Sequence, residues 1–82
     1  MVKVKDKNIL LTALGSRLRT VRESLGMTQE SLANEAGLDR SYIGGVERGE
    51  RNISFLILCQ IAAVLKIDIA SLTKGIPENL YD

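Results

Sequence analysis

Residues Thr28 to Gly49, TQESLANEAGLDRSYIGGVERG, restrict what this chain can fold into more than any other stretch. Two short helical patterns meet there, with only Gly37, Leu38 and Asp39 between them. Counting Gln29 as the first position, small Ala33 is fifth, Gly37 ninth, branched Ile43 fifteenth and Val46 eighteenth. Ala33 lets two backbones approach closely, and Gly37 takes the positive φ that ends the first helix. Leu32, Leu38, Ile43 and Val46 fill the angle between the helices. A plain helical hairpin is the competing reading, but it does not need the small residue, the glycine and the branched pair together.

Such a corner is the sequence logic of a helix-turn-helix, whose second helix enters the major groove of DNA. The flanking sequence is helical as well. From Ile9, with Asn8 as a candidate cap, Leu11, Leu14, Leu18, Val21 and Leu25 recur at spacings of three and four, and Gly26 ends the run. Thr28 caps the second helix, from about Gln29 to Ala36, and Asp39 the third, from about Arg40 to Arg48. Gly49 closes the third helix, and Glu50 to Ile53 form a loop. Ser54 caps a fourth helix reaching about Leu65, with Phe55, Leu58, Ile61, Ala62 and Leu65 toward the core. Asp68 caps a short fifth helix containing Ile69 and Leu72, which Gly75 and Pro77 stop. The expected fold class is all-α, a five-helix arrangement without strands. Residues 1–8 read as a flexible basic arm, 9–75 as the DNA-binding and dimerisation domain, and 76–82 as a loose tail.

Composition narrows the function. The 82 residues hold one domain and a modest core. Net charge is only +1, but its distribution matters more: all six arginines lie between residues 17 and 51, and all five lysines outside that span. Arginine suits bidentate contacts with guanine and phosphate, although solvated surface charge accounts equally well for any one of them. With no histidine and Cys59 as the single cysteine, the sequence offers no internal disulfide, no ordinary zinc site and no usual general base. Cys59 lies in an apolar helical run and reads as a small hydrophobe. No run reaches the length of a membrane span or forms a signal peptide, so the expected location is the cytoplasm.

With this layout the chain resembles the lambda-repressor-like helix-turn-helix family, also called the Cro/cI or XRE type, from about Leu14 to Leu72. The residues carrying the resemblance are LGSRLRTVRESLGMTQESLA, GLDRSYIGGVERGERNIS and LCQIAAVLKI. The second block is most similar to restriction–modification controller proteins, small dimeric regulators with a GLDRTYISGIERG-like segment and a following RN-x-S/T loop. It departs from them at Gly44, where a polar residue is common, next to Gly45. Two glycines weaken the helix by about 1 kcal/mol each relative to alanine. They have no side chain to reach a base, which concentrates expected readout in the first turn. Alternatively, they permit close approach of the helix to the sugar–phosphate backbone.

Asp39, Arg40 and Ser41 stand at the end of the third helix that enters the groove. Arg40 is the first candidate for base readout, with a phosphate contact or a salt bridge as the alternative. Ser41 reaches a base edge or a phosphate. Asp39 caps its helix more readily than it reads cytosine. Tyr42 either meets a sugar, a thymine methyl or a phosphate, or packs as a half-buried ring. Gln29 opens the second helix, where free amides favour an anion, and the resemblance also implies a phosphate contact there. The loop grips phosphate through Arg48, Arg51, Asn52 and Ser54, with solvated charge as the alternative. Such contacts position the protein without reading sequence. The resemblance implies that Arg22 pairs with Glu47 to tie the first helix to the third. Arg17 and Arg19, flanking core-facing Leu18, are expected to point outward to DNA backbone or water.

One recognition helix covers few base pairs, so a two-fold dimer on half-sites about one helical turn apart is expected. After the core set is removed, Leu56, Cys59 and Ala63 form a second apolar stripe on the fourth helix, which Ile67, Ile69 and Leu72 extend. The expected partners are an operator in double-stranded DNA and a second copy of the chain, with RNA polymerase as a further candidate. No cofactor, metal or membrane is implied. The leading expectation is a sequence-specific regulator that, by the resemblance, controls its own gene and a neighbouring endonuclease gene. An antitoxin-type or phage-type regulator that binds a partner protein is the alternative. Enzymatic activity is not expected, since no nucleophile–base pair or metal constellation is present.

Overall fold

The computed structural model describes residues 7–76. Five helices follow in order: α1 (Lys7–Ser24), α2 (Gln29–Ala36), α3 (Arg40–Glu47), α4 (Phe55–Leu65) and α5 (Ile69–Thr73). Among the described residues there is no strand. Each helix gives the core one side chain with 0 % exposure: Leu18, Leu32, Ile43, Ile61 and Leu72. Enclosing a side chain of this size stabilises the fold by about 1.5–3 kcal/mol. Leu14, Val21, Met27, Leu38 and Tyr42 pack around this centre while keeping some exposure.

Helix ends follow the sequence closely, because caps are local chemistry. Thr28, Ser54 and Asp68 each accept a hydrogen bond from the backbone N–H three residues on. The Asp68 carboxylate also accepts from the Ser71 hydroxyl at 2.8 Å. That hydroxyl bond, with the Ser71 amide, holds the Asp68 carboxyl below the usual aspartate range. Asp39 holds the N-cap position of α3 but makes no side-chain cap bond, contrary to expectation. Its carbonyl accepts from Tyr42 and Ile43 instead, and the carboxylate stays outside.

Several expectations need correction. Lys7 and Asn8 lie within α1, so Asn8 is not its cap and the expected arm does not extend to residue 8. The remainder of that arm, 1–6, and the tail from 77 to 82 lie outside the described residues. Leu25 follows the end of α1 and is 53 % exposed. Gly26, at φ 71, turns the chain away there, and Met27 packs on the core in its place. Phe55 is 66 % exposed, because the first turn of α4 projects beyond the core. Arg17 does not simply project outward but is engaged at the surface of its own fold. Its guanidinium donates to the carbonyls of Ser71 at 3.1 Å and Lys74 at 3.0 Å, joining α1 to the C-terminal end of α5. A cation there meets the negative end of the helix dipole. Arg19 is exposed as expected, 3.6 Å from Glu23 one turn along α1.

What positions α3 is a close backbone approach that sequence periodicity did not flag. A Cβ on Gly15, in the middle of α1, would lie 2.6 Å from the carbonyl oxygen of Glu47 and would also collide with that of Val46. Gly49, at φ 78, lies equally close to Thr12, where a Cβ would come within 2.6 Å of the hydroxyl oxygen. The C-terminal end of α3 therefore rests directly on α1, and backbone cannot yield as a flexible side chain does. Gly15→Ala is expected to cost about 3 kcal/mol, at the upper end for overpacking, while exposed Ser16→Ala stays within about 0.5 kcal/mol. Urea denaturation of the two variants checks this; equal midpoints would show that the helices can move apart freely.

Candidate nucleic-acid interface

The corner forms as its residues require. Thr28 is extended at φ −84 and ψ 164, and its side chain and that of Ser31 bond each other's backbone N–H at 3.0 Å. This reciprocal cap starts α2 abruptly at Gln29. At the other end Gly37 takes φ 70 and ψ 34, and the Leu38 N–H donates to the Ala33 carbonyl at 2.8 Å. Ala33 is 1 % exposed and Val46 2 %, so the two helices cross without a gap. The N-terminal end of α3 is left outside, with Asp39, Arg40 and Ser41 all exposed. Arg40 also borders an open depression together with Arg22, Met27, Thr28 and Gln29.

Behind this face lies a buried ion pair. Arg22 Nε donates to Glu47 Oε2 at 2.6 Å and a terminal nitrogen donates to Oε1 at 3.0 Å. The remaining terminal nitrogen donates to the Met27 carbonyl at 2.6 Å. Glu47 Oε1 accepts a further bond from the Gln29 side-chain nitrogen at 3.0 Å. The two ion-pair side chains are only 8 % and 2 % exposed. The hydrogen bond to Glu47 raises the Arg22 pKa above its ordinary value against the opposing effect of burial, so the guanidinium stays charged. Bidentate geometry and a satisfied third nitrogen are what make such a buried pair tolerable.

The loop residues form a second, exposed set. Arg48 donates to Glu50 from Nε at 2.9 Å and from a terminal nitrogen at 3.2 Å. That bond holds the Glu50 carboxyl below the usual range and raises Arg48. Both side chains remain about 60 % exposed, so the pair adds little to stability. The Arg51 guanidinium lies 5.8 Å from the centre of the Tyr42 ring, within cation–π reach. Tyr42 is half-buried against the core, which is the packing alternative, with one ring face left for Arg51. Asn52 is exposed, and the exposed Ser54 spends its side-chain acceptor on capping α4.

The structure thus brings Gln29, Arg40, Ser41, Tyr42, Arg48 and Arg51 around α3. It also puts Glu50 among them, which sequence reasoning missed although alternating charge in ERGER carries the signal. Gly44 and Gly45 are buried rather than bare, because Arg48 and Arg51 lie over them. The middle of α3 is therefore covered by these side chains rather than left as bare backbone.

On α4, Leu56 is 74 % exposed, and Cys59 and Ala63 lie on the same stripe. Phe55 extends that stripe. Leu72 does not, because at 0 % exposure it belongs wholly to the chain's own core. Ile67 and Ile69 are half-buried and pack mainly on that core. No helix is long and apolar enough to cross a membrane, and no group of three or more acidic or cysteine side chains stands ready for a metal among the described residues.

Comparison with known proteins agrees with this geometry. The helix-turn-helix family HTH_3 matches residues 18–72. The control protein C.MunI of Mycoplasma sp is 36% identical over 73 residues, 88% of this chain and 99% of that protein. The restriction–modification controller C.AhdI from Aeromonas hydrophila superimposes with a TM-score of 0.74 at 48% identity, over 76% of this chain and 94% of that one. The controller C.Esp1396I, as a tetramer with its natural 35 base-pair operator, gives 0.71 at 36% identity, over 77% and 83%. This chain belongs to the XRE-type helix-turn-helix family of DNA-binding transcriptional regulators.

Glu47→Ala would leave the Arg22 charge buried and unpaired. A loss of about 3–5 kcal/mol is expected, whereas the double variant Arg22→Met, Glu47→Leu recovers most of it. Thermal denaturation decides: a single variant within about 1 kcal/mol of the parent would remove the pair from its structural role.

Proposed function

We propose that this protein is the controller of a restriction–modification operon, binding a palindromic operator as a homodimer and governing its own expression and that of a neighbouring endonuclease. The observation that carries the reading is the exposed N-terminal end of α3 with Arg40, flanked by Arg48 and Arg51 of the following loop and held at the angle of a helix-turn-helix. Its similarity to controllers over nearly their whole length supports the choice of subgroup. C.Esp1396I sits on its operator as a tetramer, which supports operator binding by more than one copy here. A cytoplasmic location and a contact with RNA polymerase belong to the same reading.

Arg40 and Ser41 project from the groove-entering end of α3 and read base edges. A bidentate contact from Arg40 to guanine discriminates by about 1–3 kcal/mol. Gln29 at the start of α2, Tyr42 on α3, and Arg48, Arg51, Asn52 and Ser54 beyond the C-terminal end of α3 hold the sugar–phosphate backbone. Selection from a library of random duplexes should yield a palindromic consensus; recovery of none would sink the regulator reading. On that consensus, Arg40→Ala is expected to relax preference at one base position per half-site. Asn52→Ala should weaken all sequences alike and flatten the salt dependence. Matching behaviour of the two variants would refute the division of roles.

The dimer uses the stripe Phe55, Leu56, Cys59 and Ala63, in a two-fold contact where each copy offers the same patch. Two exposed large apolar side chains side by side are costly on a monomer this small. Leu56→Glu places a charge in the contact and should convert a dimer to a monomer in sedimentation at micromolar concentration. An unchanged sedimentation coefficient would move the interface elsewhere.

A further inference from the structure

An acidic side chain, Glu50, stands among the arginines around α3, where it costs that surface positive charge and adds little stability. The chain path explains why it pairs with Arg48. Gly49, at φ 78, reverses the backbone between them, so that residues two apart meet. Both backbones are fixed on the end of α3. The Arg48 N–H donates to the Gly44 carbonyl at 3.1 Å and the Glu50 N–H to the Gly45 carbonyl at 2.9 Å. The Glu50 carboxylate then takes Nε and one terminal nitrogen of Arg48, at 2.9 and 3.2 Å. The other terminal nitrogen is turned toward α3, 3.0 Å from the position a Cβ would take on Gly44. The side-chain oxygen of Gln29 lies 3.6 Å from the same position. Among the described residues, Arg40 and Arg51 have no carboxylate within ion-pair distance.

We propose that Glu50 is an internal competitor for DNA phosphate: its carboxylate fills the Arg48 fork in the free protein, and Arg48 grips the DNA backbone only by giving up that bond. The proposal rests on the DNA-binding reading above. A guanidinium edge offering Nε and one terminal nitrogen side by side binds carboxylate and phosphate in the same bidentate way. One edge cannot serve two anions. The third nitrogen is no substitute, since it is turned toward α3 beside an acceptor oxygen. The bond from Arg48, with the nearby charge of Arg51, keeps the Glu50 carboxyl ionised. Both partners are about 60 % exposed, so either swings aside without opening the core. A backbone contact is indifferent to sequence, so the competition restrains binding to duplex of any sequence.

The test uses Glu50→Gln, Arg48→Ala and the double variant, each melted and each titrated with a short mixed-sequence duplex over a salt series. Glu50→Gln should bind about threefold to fivefold more tightly, the scale that releasing an exposed ion pair allows, with a steeper salt slope. Its melting temperature should stay within about 4 °C of the parent. In the Arg48→Ala background the same change should gain less than about twofold, since only a screened charge is then removed. Unchanged affinity in Glu50→Gln would overturn the competitor. Weaker binding would also overturn it, by showing that the carboxylate holds Arg48 in place for DNA. A gain repeated in full without Arg48 would do the same, leaving only general repulsion between Glu50 and DNA. So would loss of all binding in Arg48→Ala, because Arg48 would already be fully engaged beside Glu50. A larger drop in melting temperature would make the pair a structural tie and overturn the proposal as well. Failure of the parent chain to bind duplex in a salt-dependent way would instead overturn the DNA-binding reading.

Discussion

The guanidinium of Arg22 lies where three helices come together, at the end of α1, the approach to α2 and the last turn of α3. Each of its nitrogens has a partner, and Glu47 returns the charge from α3. Because the pair is out of water, neither partner can leave without exposing the other to an uncompensated burial cost. The angle between α2 and α3 is set by Ala33, Gly37 and the apolar wedge, but the placement of that unit on α1 depends on this contact. Gly15 completes it by letting the backbone of α1 touch the carbonyls of α3.

Glu47 has a second consequence. Its Oε1 also holds Gln29, so the side chain expected to meet DNA at the start of α2 is fixed by a residue on α3. The stabilising network and the surface proposed to face DNA are therefore continuous rather than separate layers. Gln29 and Arg48 then close over Gly44, and the stem of Arg51 lies over Gly45 while its charge faces Tyr42. The middle of α3 is furnished from its flanks, which changes the meaning of its two glycines from absent reach to available room.

Much of this was legible from the residues. Helix limits at Thr28, Gly37, Ser54 and Asp68 came from cap chemistry, which acts within a few residues and needs no tertiary information. The Arg22–Glu47 pairing followed from the resemblance, not from spacing. Two of the errors come from reading faces along a helix without its neighbours. Helical periodicity puts Phe55 in the core and extension of the apolar stripe puts Leu72 on the surface, and the structure reverses both. Periodicity gives the angle of a side chain around its helix axis, but not where along that axis the neighbouring helix stops. Arg17 was missed for a related reason, since its partners on α5 lie 54 and 57 residues away in sequence.

The sequence by itself determined five helices, their caps, the tight corner and the concentration of arginine around it, because each depends on local conformational preference or composition. Tertiary structure alone decided that Arg48 and Arg51 fold back over the glycines, that Glu50 and Tyr42 are their neighbours, and that Phe55 rather than Leu72 joins the exposed stripe. Those outcomes depend on the path of long side chains and on where non-neighbouring helices meet. A one-dimensional pattern holds neither quantity.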